Sequence, residues 1–256
     1  MVTYHPPSKH LLLVSIVSHG HGDKVQALLE QLAQYSAANI ARIVITHNIP
    51  EPALSPPANG WPFKVETIHN AKPHGFAANH NQAVLNALEP FVCILNPDVQ
   101  LLPSTQNADR FADPFAALLV TAAMPGVGCA YPIQVDAQDR IQDSEREIPT
   151  PTALYRRHIL RQAQRRTDWV NAACIVLPLP VWQAIQGFDE TYFMYCEDVD
   201  LCLRIRLAGW QLQRASATII HSGQRASHRQ WRHLAWHICS LWKLWHSQPY
   251  KKFIIQ

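Results

Sequence analysis

The sequence lacks several features that would assign a chain at once to a broad class of protein. Its six cysteines form no CxxC pair and show no repeated spacing, which argues against a disulfide framework. No stretch approaches about 18 uninterrupted apolar residues, and the first apolar run, residues 11–17, lacks the length and the cleavage site of a signal peptide. No internal repeat or low-complexity tract is visible. We therefore expect a cytoplasmic protein with reduced thiols.

Charge is also scarce in total. The 22 Lys and Arg side chains and the 19 Asp and Glu side chains leave a net charge of only +3, which argues against a dedicated nucleic-acid-binding protein. This total hides a split, because residues 1–150 carry 8 basic and 13 acidic side chains, whereas residues 151–256 carry 14 and 6. Any basic partner surface is therefore expected in the C-terminal part.

What the chain does have is length and apolar pattern. With 256 residues, of which 48% are hydrophobic, it can bury one substantial core or two small ones. Apolar runs alternate with amphipathic stretches over the first hundred residues. Strands are predicted at residues 11–17, 40–46 and 63–68 and at FVCILNPDV, and helices at KVQALLEQLAQY and AANHNQAVLNAL. This alternation predicts an α/β fold with a mixed, mostly parallel sheet and helices on both faces. Residues 1–100 then form a nucleotide-binding half with ligands at the carboxyl ends of its strands.

The pattern weakens from Gly126 onward. GVGCAYPIQV indicates a strand, but residues 136–168 are polar and Arg-rich, and we expect this segment to be partly mobile. Regular structure resumes at WVNAACIVLP and continues through a short helix at VWQAIQG, the amphipathic LCLRIRLAGW and the strand ATIIH.

Two groups of polar residues suggest chemistry. Asp98 follows the apolar run FVCIL, where a carboxylate can offer an oxygen ligand to a hard cation, although Asn96-Pro97-Asp98 alone also fits an ordinary turn. His221 ends ATIIH and would usually be a satisfied surface or core residue, unless the fold brings it beside Asp98 as a nitrogen ligand.

The second group contains three acids within four residues, at Glu197, Asp198 and Asp200. If a helix begins near Asp198, N-capping explains one of these acids but not all three. A carboxylate in this place can instead act as a general base toward an acceptor hydroxyl.

Three motifs together resemble a known family. The run IQGFDETYFMYCEDVDLCLRIRLAGWQLQRASATIIHSGQRAS, the segment HGFAANHNQAV and the segment CILNPDV are similar to motifs of inverting, GT-A-fold glycosyltransferases. The resemblance is to glycosyltransferase family 2, and within it to rhamnosyltransferase-like bacterial members. It spans residues 11 to about 230 and keeps the motifs in the family's order.

The resemblance implies a metal site and a catalytic base. Asp98 matches the last acid of the DxD motif, which coordinates Mg²⁺ or Mn²⁺ on the donor diphosphate, while Asn96 replaces its first acid. His221 matches the histidine that completes the metal site. Asp198 matches the general base, with two supporting acids, Glu197 and Asp200.

The resemblance also implies substrate-binding residues. The nucleotide-sugar side is expected to include Ser18, His19, His47, Asn48, Gly75, Phe76, Asn79, Asn81, Asn96 and Asp98. His47-Asn48 stands where the family usually has an Asp that reads a pyrimidine, so we expect altered base recognition. The acceptor side is expected to include Trp169, Asn171 and Tyr195, with Asn171 at a position where glycine is common.

The C-terminal residues combine tryptophan with positive charge. A helical stripe is predicted through Trp231, Leu234, Ile238, Leu241 and Trp245, with cations largely on other faces. Such a helix suits a membrane interface with anionic lipids, and it equally suits packing on the catalytic domain. Binding of single-stranded nucleic acid is less favoured because no nucleic-acid module is recognisable.

The sequence therefore predicts a catalytic domain at 1–225, with a nucleotide-binding half at 1–100 and an acceptor-binding half at 126–225, followed by a basic helix and tail at 226–256. The expected reaction moves a hexose or deoxyhexose, such as rhamnose, from a dTDP- or UDP-sugar to a polysaccharide or lipid-linked oligosaccharide. This would take place in the cytoplasm, with the tail as a peripheral contact to the inner face of the membrane. One rival interpretation is a nucleotidyltransferase. The other is a non-catalytic nucleotide-sugar-binding or scaffold homologue, and Asn96 and His47 favour this second rival.

Overall fold

A computed structural model of the protein describes residues 10–101, 113–161, 166–221 and 231–255. The strands are β1 (Leu12–Ser18), β2 (Ile40–His47), β3 (Lys64–His69), β4 (Phe91–Leu95), β5 (Val99–Leu101), β6 (Val127–Val135), β7 (Glu145–Arg146), β8 (Trp169–Val170), β9 (Cys174–Pro178) and β10 (Gln211–His221). The helices are α1 (Gly22–Tyr35), α2 (Phe76–Val84), α3 (Pro114–Ala122), α4 (Pro151–His158), α5 (Leu179–Ala184), α6 (Glu197–Leu207), α7 (Trp231–His246) and α8 (Gln248–Ile255).

Eight of these strands form one mixed, mostly parallel sheet in the order β3-β2-β1-β4-β9-β6-β10-β5. β3, β2, β1 and β4 run parallel, and so do β6 and β10. β9 lies antiparallel between β4 and β6, and β5 lies antiparallel to β10 at the edge. The predicted α/β architecture is confirmed.

Both faces of the sheet are buried, as continuous apolar strands require. On β1, Leu12, Val14 and Ile16 pack in a core cluster that also contains side chains of α1 and α3. Leu13 faces the other way, into a cluster with side chains of α2 and α6. The helical spacing of α1 explains its docking, because its buried side chains recur every three or four residues at Val25, Leu28, Leu29 and Leu32.

One helix is shorter than the sequence predicts, and one predicted regular segment divides into two strands. α2 ends at Val84, earlier than predicted, because Leu85 and Leu88 are exposed and contribute no buried face. WVNAACIVLP, where regular structure was expected to resume, forms two strands, because β8 pairs with β7 in a separate ribbon while β9 enters the main sheet. Residues 171–173 connect them.

The segment at 136–168 contains more regular structure than expected. Although its sequence is polar, the segment forms α4. Thr150 caps this helix by accepting a hydrogen bond from Ala153 N at 3.0 Å, and the helix begins with a proline. β7 pairs with β8 in the same region. Residues 162–165 of this segment lie outside the described residues.

The C-terminal residues form two helices, of which only the first was predicted. Leu244 of α7 and Tyr250 of α8 are buried in the core cluster that contains α6. Within the described part of the chain, no helix is long and apolar enough to cross a membrane.

Candidate active site

The pairing of β10 with β5 brings together two residues that lie far apart in the sequence. Asp98 lies in the turn between β4 and β5, and His221 ends β10 opposite Val99, the first residue of β5. His221 Nε2 therefore lies 3.4 Å from Asp98 Oδ1, and both side chains are mostly buried. Burial opposes the ionisation of Asp98, but the neighbouring His221 and Lys24 together hold the pKa of Asp98 below its usual value. Asp98 is thus a carboxylate at neutral pH.

This pair fits a divalent cation that draws its remaining ligands from a diphosphate. His221 Nδ1 is buried without a hydrogen-bond partner among the described residues, so the ring has unused capacity. The same residues include no group of three or more His, Cys, Asp or Glu that could hold a metal ion. One carboxylate plus substrate phosphates is the common manner of binding Mg²⁺.

The three predicted acids lie at the start of α6 and have different surroundings. The two residues before them, Tyr195 and Cys196, have positive φ angles of 71° and 66°, which is strained for residues other than glycine. Asp200 is buried and forms an ion pair with Arg204, Nε to Oδ2 at 2.7 Å. Arg204 also donates to the carbonyl oxygens of Ile185 and Gly187, so Asp200 orients the side chain that fastens α6 to the end of α5.

Asp198 and Glu197 face the interior in different ways. Asp198 is half-buried, and its Oδ1 accepts from Val199 N at 2.8 Å, with Arg146 and the backbone of Ala172 nearby. Burial raises the pKa of Asp198 to about 6. Glu197 is buried, its Oε2 has no hydrogen-bond partner among the described residues, and burial beside the Asp198 carboxylate raises its pKa to about 8. At neutral pH Asp198 is therefore an accessible carboxylate and Glu197 a neutral acid.

Polar residues predicted on the donor side form a network that shapes the loop before α2. Asn48 Oδ1 accepts from His74 N at 2.8 Å and from Asn70 Nδ2 at 2.9 Å. Asn70 Nδ2 also donates to Asn79 Oδ1 at 2.7 Å. Asn81 forms hydrogen bonds with the backbone N–H and carbonyl of Phe188, and these bonds join α2 to residues 187–190, GFDE. These asparagine side chains hold the wall of the site in place.

Gly75 joins this loop to the segment that leads to the acids. A Cβ atom at Gly75 would lie 2.6 Å from the carbonyl oxygen of Phe193, and Phe76 N donates to the same oxygen at 3.0 Å. Gly75 therefore allows a close backbone approach to the protein itself. Phe76 is half-buried and packs edge-on against Phe188 and His80.

A buried carboxylate that the sequence analysis missed lies at the ends of β1 and β2. Glu51 Oε2 accepts from Ser18 Oγ at 2.7 Å, and Oε1 accepts from Gly20 N at 2.8 Å. Its side chain is only 4% exposed and lies 4.0 Å from His47 Nδ1. Its one signal in the sequence is that it is the only acid in the Pro-rich segment 49–62. His19 borders the same corner, with Nδ1 3.3 Å from Asn48 Nδ2.

The residues predicted on the acceptor side also make contacts within the protein. Asn171 and Gln134 exchange amide hydrogen bonds of 2.6 Å and 3.1 Å. Trp169 is buried, its Nε1 donates to Glu147 O at 2.8 Å, and the Arg146 guanidinium lies 5.1 Å from its ring centroid. Tyr195 pairs its hydroxyl with His233 Nδ1 at 2.9 Å.

A cavity of about 570 Å³ lies beside Asn171. Gln134, the amide partner of Asn171, lines it together with side chains of residues 141–145. Ile133 and three arginines complete the lining, and the arginines are Arg157, Arg161 and Arg214. This mixture of amides, acids and guanidinium groups offers hydrogen-bond partners to a hydroxyl-rich ligand.

Comparisons with known proteins show what the chain is similar to in sequence and in fold. No protein-family model matches the chain. It is similar to N-acetylglucosaminyl-diphospho-decaprenol L-rhamnosyltransferase of Mycobacterium tuberculosis, at 28% identity over 170 residues that cover 59% of this chain and 53% of that protein. It thus spans about half the length of that relative. Rhamnosyltransferase WbbL of Escherichia coli K12 is 25% identical over 230 residues, or 81% of each chain.

A solved structure shares the fold. The mannosyltransferase PcManGT from Pyrobaculum calidifontis, determined in complex with GDP-Man and Mn²⁺, superposes with a TM-score of 0.58 at 14% identity. The match covers 93% of this chain and 64% of that chain. The chain is therefore a GT-A-fold relative of bacterial rhamnosyltransferases.

Proposed function

We propose that the protein is an inverting glycosyltransferase that moves a sugar from a nucleoside-diphosphate sugar to a hydroxyl group of a polysaccharide or lipid-linked acceptor. The observation that supports this proposal is that two of its carboxyl groups differ in their surroundings and in their pKa values. Asp98 is an ionised group beside His221, suited to a metal-bound diphosphate. Asp198 is a half-buried group with a raised pKa, suited to accept a proton.

The proposed mechanism is a single displacement. Asp198 takes the proton of the acceptor hydroxyl, and the acceptor oxygen forms a bond to the anomeric carbon. The bond from that carbon to the diphosphate oxygen breaks, and the nucleoside diphosphate leaves with the electron pair. Attack on the face opposite the leaving group inverts the anomeric carbon, and Mg²⁺ or Mn²⁺ held by Asp98 and His221 would neutralise charge on the diphosphate.

We assign Glu51 a positioning role on the donor side. The nucleoside is expected at the ends of β1 and β2, where His47 replaces the family's usual Asp. Glu51 supplies a buried carboxylate at this corner and holds the turn at Ser18 and Gly20 through two hydrogen bonds. The names of the two sequence relatives support rhamnose, a deoxyhexose, as the sugar that is moved. A dTDP- or UDP-sugar as its donor is an expectation from the family resemblance alone.

A thermal-shift screen of nucleoside-diphosphate sugars with Mg²⁺ or Mn²⁺ tests the proposal. A donor present at 100 times its Kd stabilises the folded state by about 2.7 kcal/mol. We expect at least one sugar nucleotide to raise the Tm by several degrees when a metal is present. Asp98→Asn should remove the metal-dependent part of the shift, whereas the exposed control Asp139→Asn should keep it. The absence of any shift across the panel, or an equal shift in Asp98→Asn, would contradict the proposal.

A non-catalytic sugar-nucleotide-binding protein is the second candidate. Asn96 and His47 favour it, because both replace acids that the family uses. This candidate predicts the same donor shift without release of nucleoside diphosphate in the presence of an acceptor. Turnover therefore separates the two functions.

A further inference from the structure

The outer face of α7 is apolar and uncovered in the described part of the chain. Trp231 is 88% exposed, Ile238 is 58% exposed and Trp242 is 63% exposed, with Leu234 at 44%. Their spacing of three or four residues places them on one side of the helix. The predicted stripe also included Leu241 and Trp245, but these two pack against the core, and Trp245 Nε1 donates to Pro149 O at 2.7 Å.

The opposite side of α7 faces the domain. Leu244 is fully buried, and Ser240 Oγ donates to Met194 O at 2.8 Å. Lys243 Nζ lies 5.0 Å from the ring centroid of Tyr192. The helix is therefore already docked on the protein, and its outer apolar face is not needed for that packing.

The charged residues of α7 and α8 have one sign, although Lys243 lies on the side of α7 that faces the domain. Residues 231–255 include Arg232, Lys243, Lys251 and Lys252 but no Asp or Glu. Lys251 and Lys252 are exposed on α8, which ends in the exposed side chains of Ile254 and Ile255. Exposed tryptophan on one helix and exposed lysine on the next, without acids in either helix, is the chemistry that recognises the interface of an anionic bilayer.

We propose that the outer face of α7, with the basic helix α8, docks the protein on the surface of an anionic membrane. The size of the face argues against a second protein chain. A 16-residue helix is about 24 Å long and about 10 Å wide, so this face offers a few hundred Å², against about 800 Å² per partner in a stable protein complex. A bilayer needs no such area, because the side chains insert individually.

Docking in this way would bring the site toward the membrane. Tyr195, three residues before Asp198, pairs with His233 of α7, and the ring of Phe193 lies 5.1 Å from that of Trp236. On the proposed function, a lipid-linked acceptor would then meet the site at the bilayer surface. The docking itself does not depend on transferase activity, so it is tested by binding alone.

The test is sedimentation of the full chain with vesicles of phosphatidylcholine alone or mixed with phosphatidylglycerol. We expect binding to the anionic vesicles that weakens as salt is raised. The triple variant Trp231→Ser, Ile238→Ser, Trp242→Ser should bind at least about tenfold more weakly. The matched control Leu85→Ser, Leu88→Ser, Ile141→Ser removes exposed apolar side chains elsewhere and should bind like the wild type. A second variant, Lys251→Glu with Lys252→Glu, should lose the preference for anionic vesicles.

All substituted side chains are exposed, so unchanged thermal unfolding should show that the variants fold. Binding that is absent in the wild type, or equal in the triple variant, overturns the proposal. Light scattering supplies a third outcome. A dimer of the wild type that the triple variant abolishes would make this face a protein interface and would also overturn it.

Discussion

At the residue scale, adjacent carboxyl groups differ because their surroundings differ. Glu197 and Asp198 follow a turn with two strained residues, which sends one side chain into the interior and leaves the other half-buried. A buried neutral acid beside an accessible carboxylate is costly for folding. Such a cost is typical of sites where function has constrained the sequence.

The raised pKa of Asp198 predicts the pH dependence of transfer. A general base acts as the carboxylate, so activity should be present above a pH of about 6 and should fall as the pH is lowered through that value. The measurement is kcat between pH 4.5 and 8 at saturating donor. A rate that stays constant down to a pH of about 4, the usual range of an Asp, would contradict this role.

The raised pKa of Glu197 predicts an effect on stability. The unfolded chain ionises this group near a pH of about 4.3, whereas the folded protein holds the proton up to about 8. Raising the pH through this window therefore favours the unfolded state. Glu197→Gln should be more stable than the wild type at pH 8, by about 1 kcal/mol or more, with little gain at pH 4.5. Denaturant unfolding at both pH values measures this, and a loss of stability at pH 8 would refute it.

At the element scale, the site depends on contacts between loops that follow different strands. The loop before α2 touches the segment before α6 through Gly75 and Phe193, and α7 covers the same segment through His233 and Trp236. The donor wall, the acids and the C-terminal helix are thus joined at one place.

Gly75→Ala tests this junction. The new Cβ would lie within 3 Å of backbone atoms of Phe193, so the two loops must separate. We expect a loss of about 1–3 kcal/mol in stability together with weaker donor binding. Gly128→Ala on β6 is the matched control, because the new Cβ would lie 2.6 Å from Trp210 Cβ, away from the site. We expect Gly128→Ala to lose a similar amount of stability but to keep normal donor affinity. Normal donor affinity in Gly75→Ala would contradict the claim that the contact of Gly75 with Phe193 shapes the donor site.

Elements with a strong apolar period could be predicted from the sequence. β1, α1 and β4 were found within a few residues, because burial selects the same pattern that the sequence displays. α4 was missed because a proline and a capping threonine start it within a polar stretch, without a clear apolar face. α8 was also missed.

At the scale of the whole molecule, the topology of the sheet explains a contact that could not be predicted from the sequence. Asp98 and His221 meet because β10 pairs with β5 across the edge of the sheet, and no spacing predicts that pairing. The sequence also named Asn48, Asn79 and Asn81 without showing whether they face a ligand or the backbone. The structure uses all three to hold loops. The roles of the predicted site residues remain predictions.

The structure of the whole molecule also predicts how many thiols react with a reagent. All six cysteines are free, and five are buried, with Cys239 of α7 exposed. A thiol reagent should react rapidly with one group in the native protein and with six after unfolding. A reductant should leave the Tm unchanged, whereas a lower Tm would indicate a disulfide.

The most direct test of the central claim is Asp198→Asn, which keeps an oxygen that can accept from Val199 N. Turnover, measured as nucleoside diphosphate released with acceptor present, should fall by about 10³-fold, because a general base contributes about 10²–10⁴. Donor affinity, measured by calorimetry with Mn²⁺, should stay within about twofold of the wild type. Turnover within about tenfold of the wild type, at normal donor affinity, would contradict Asp198 as the base and with it the proposed mechanism.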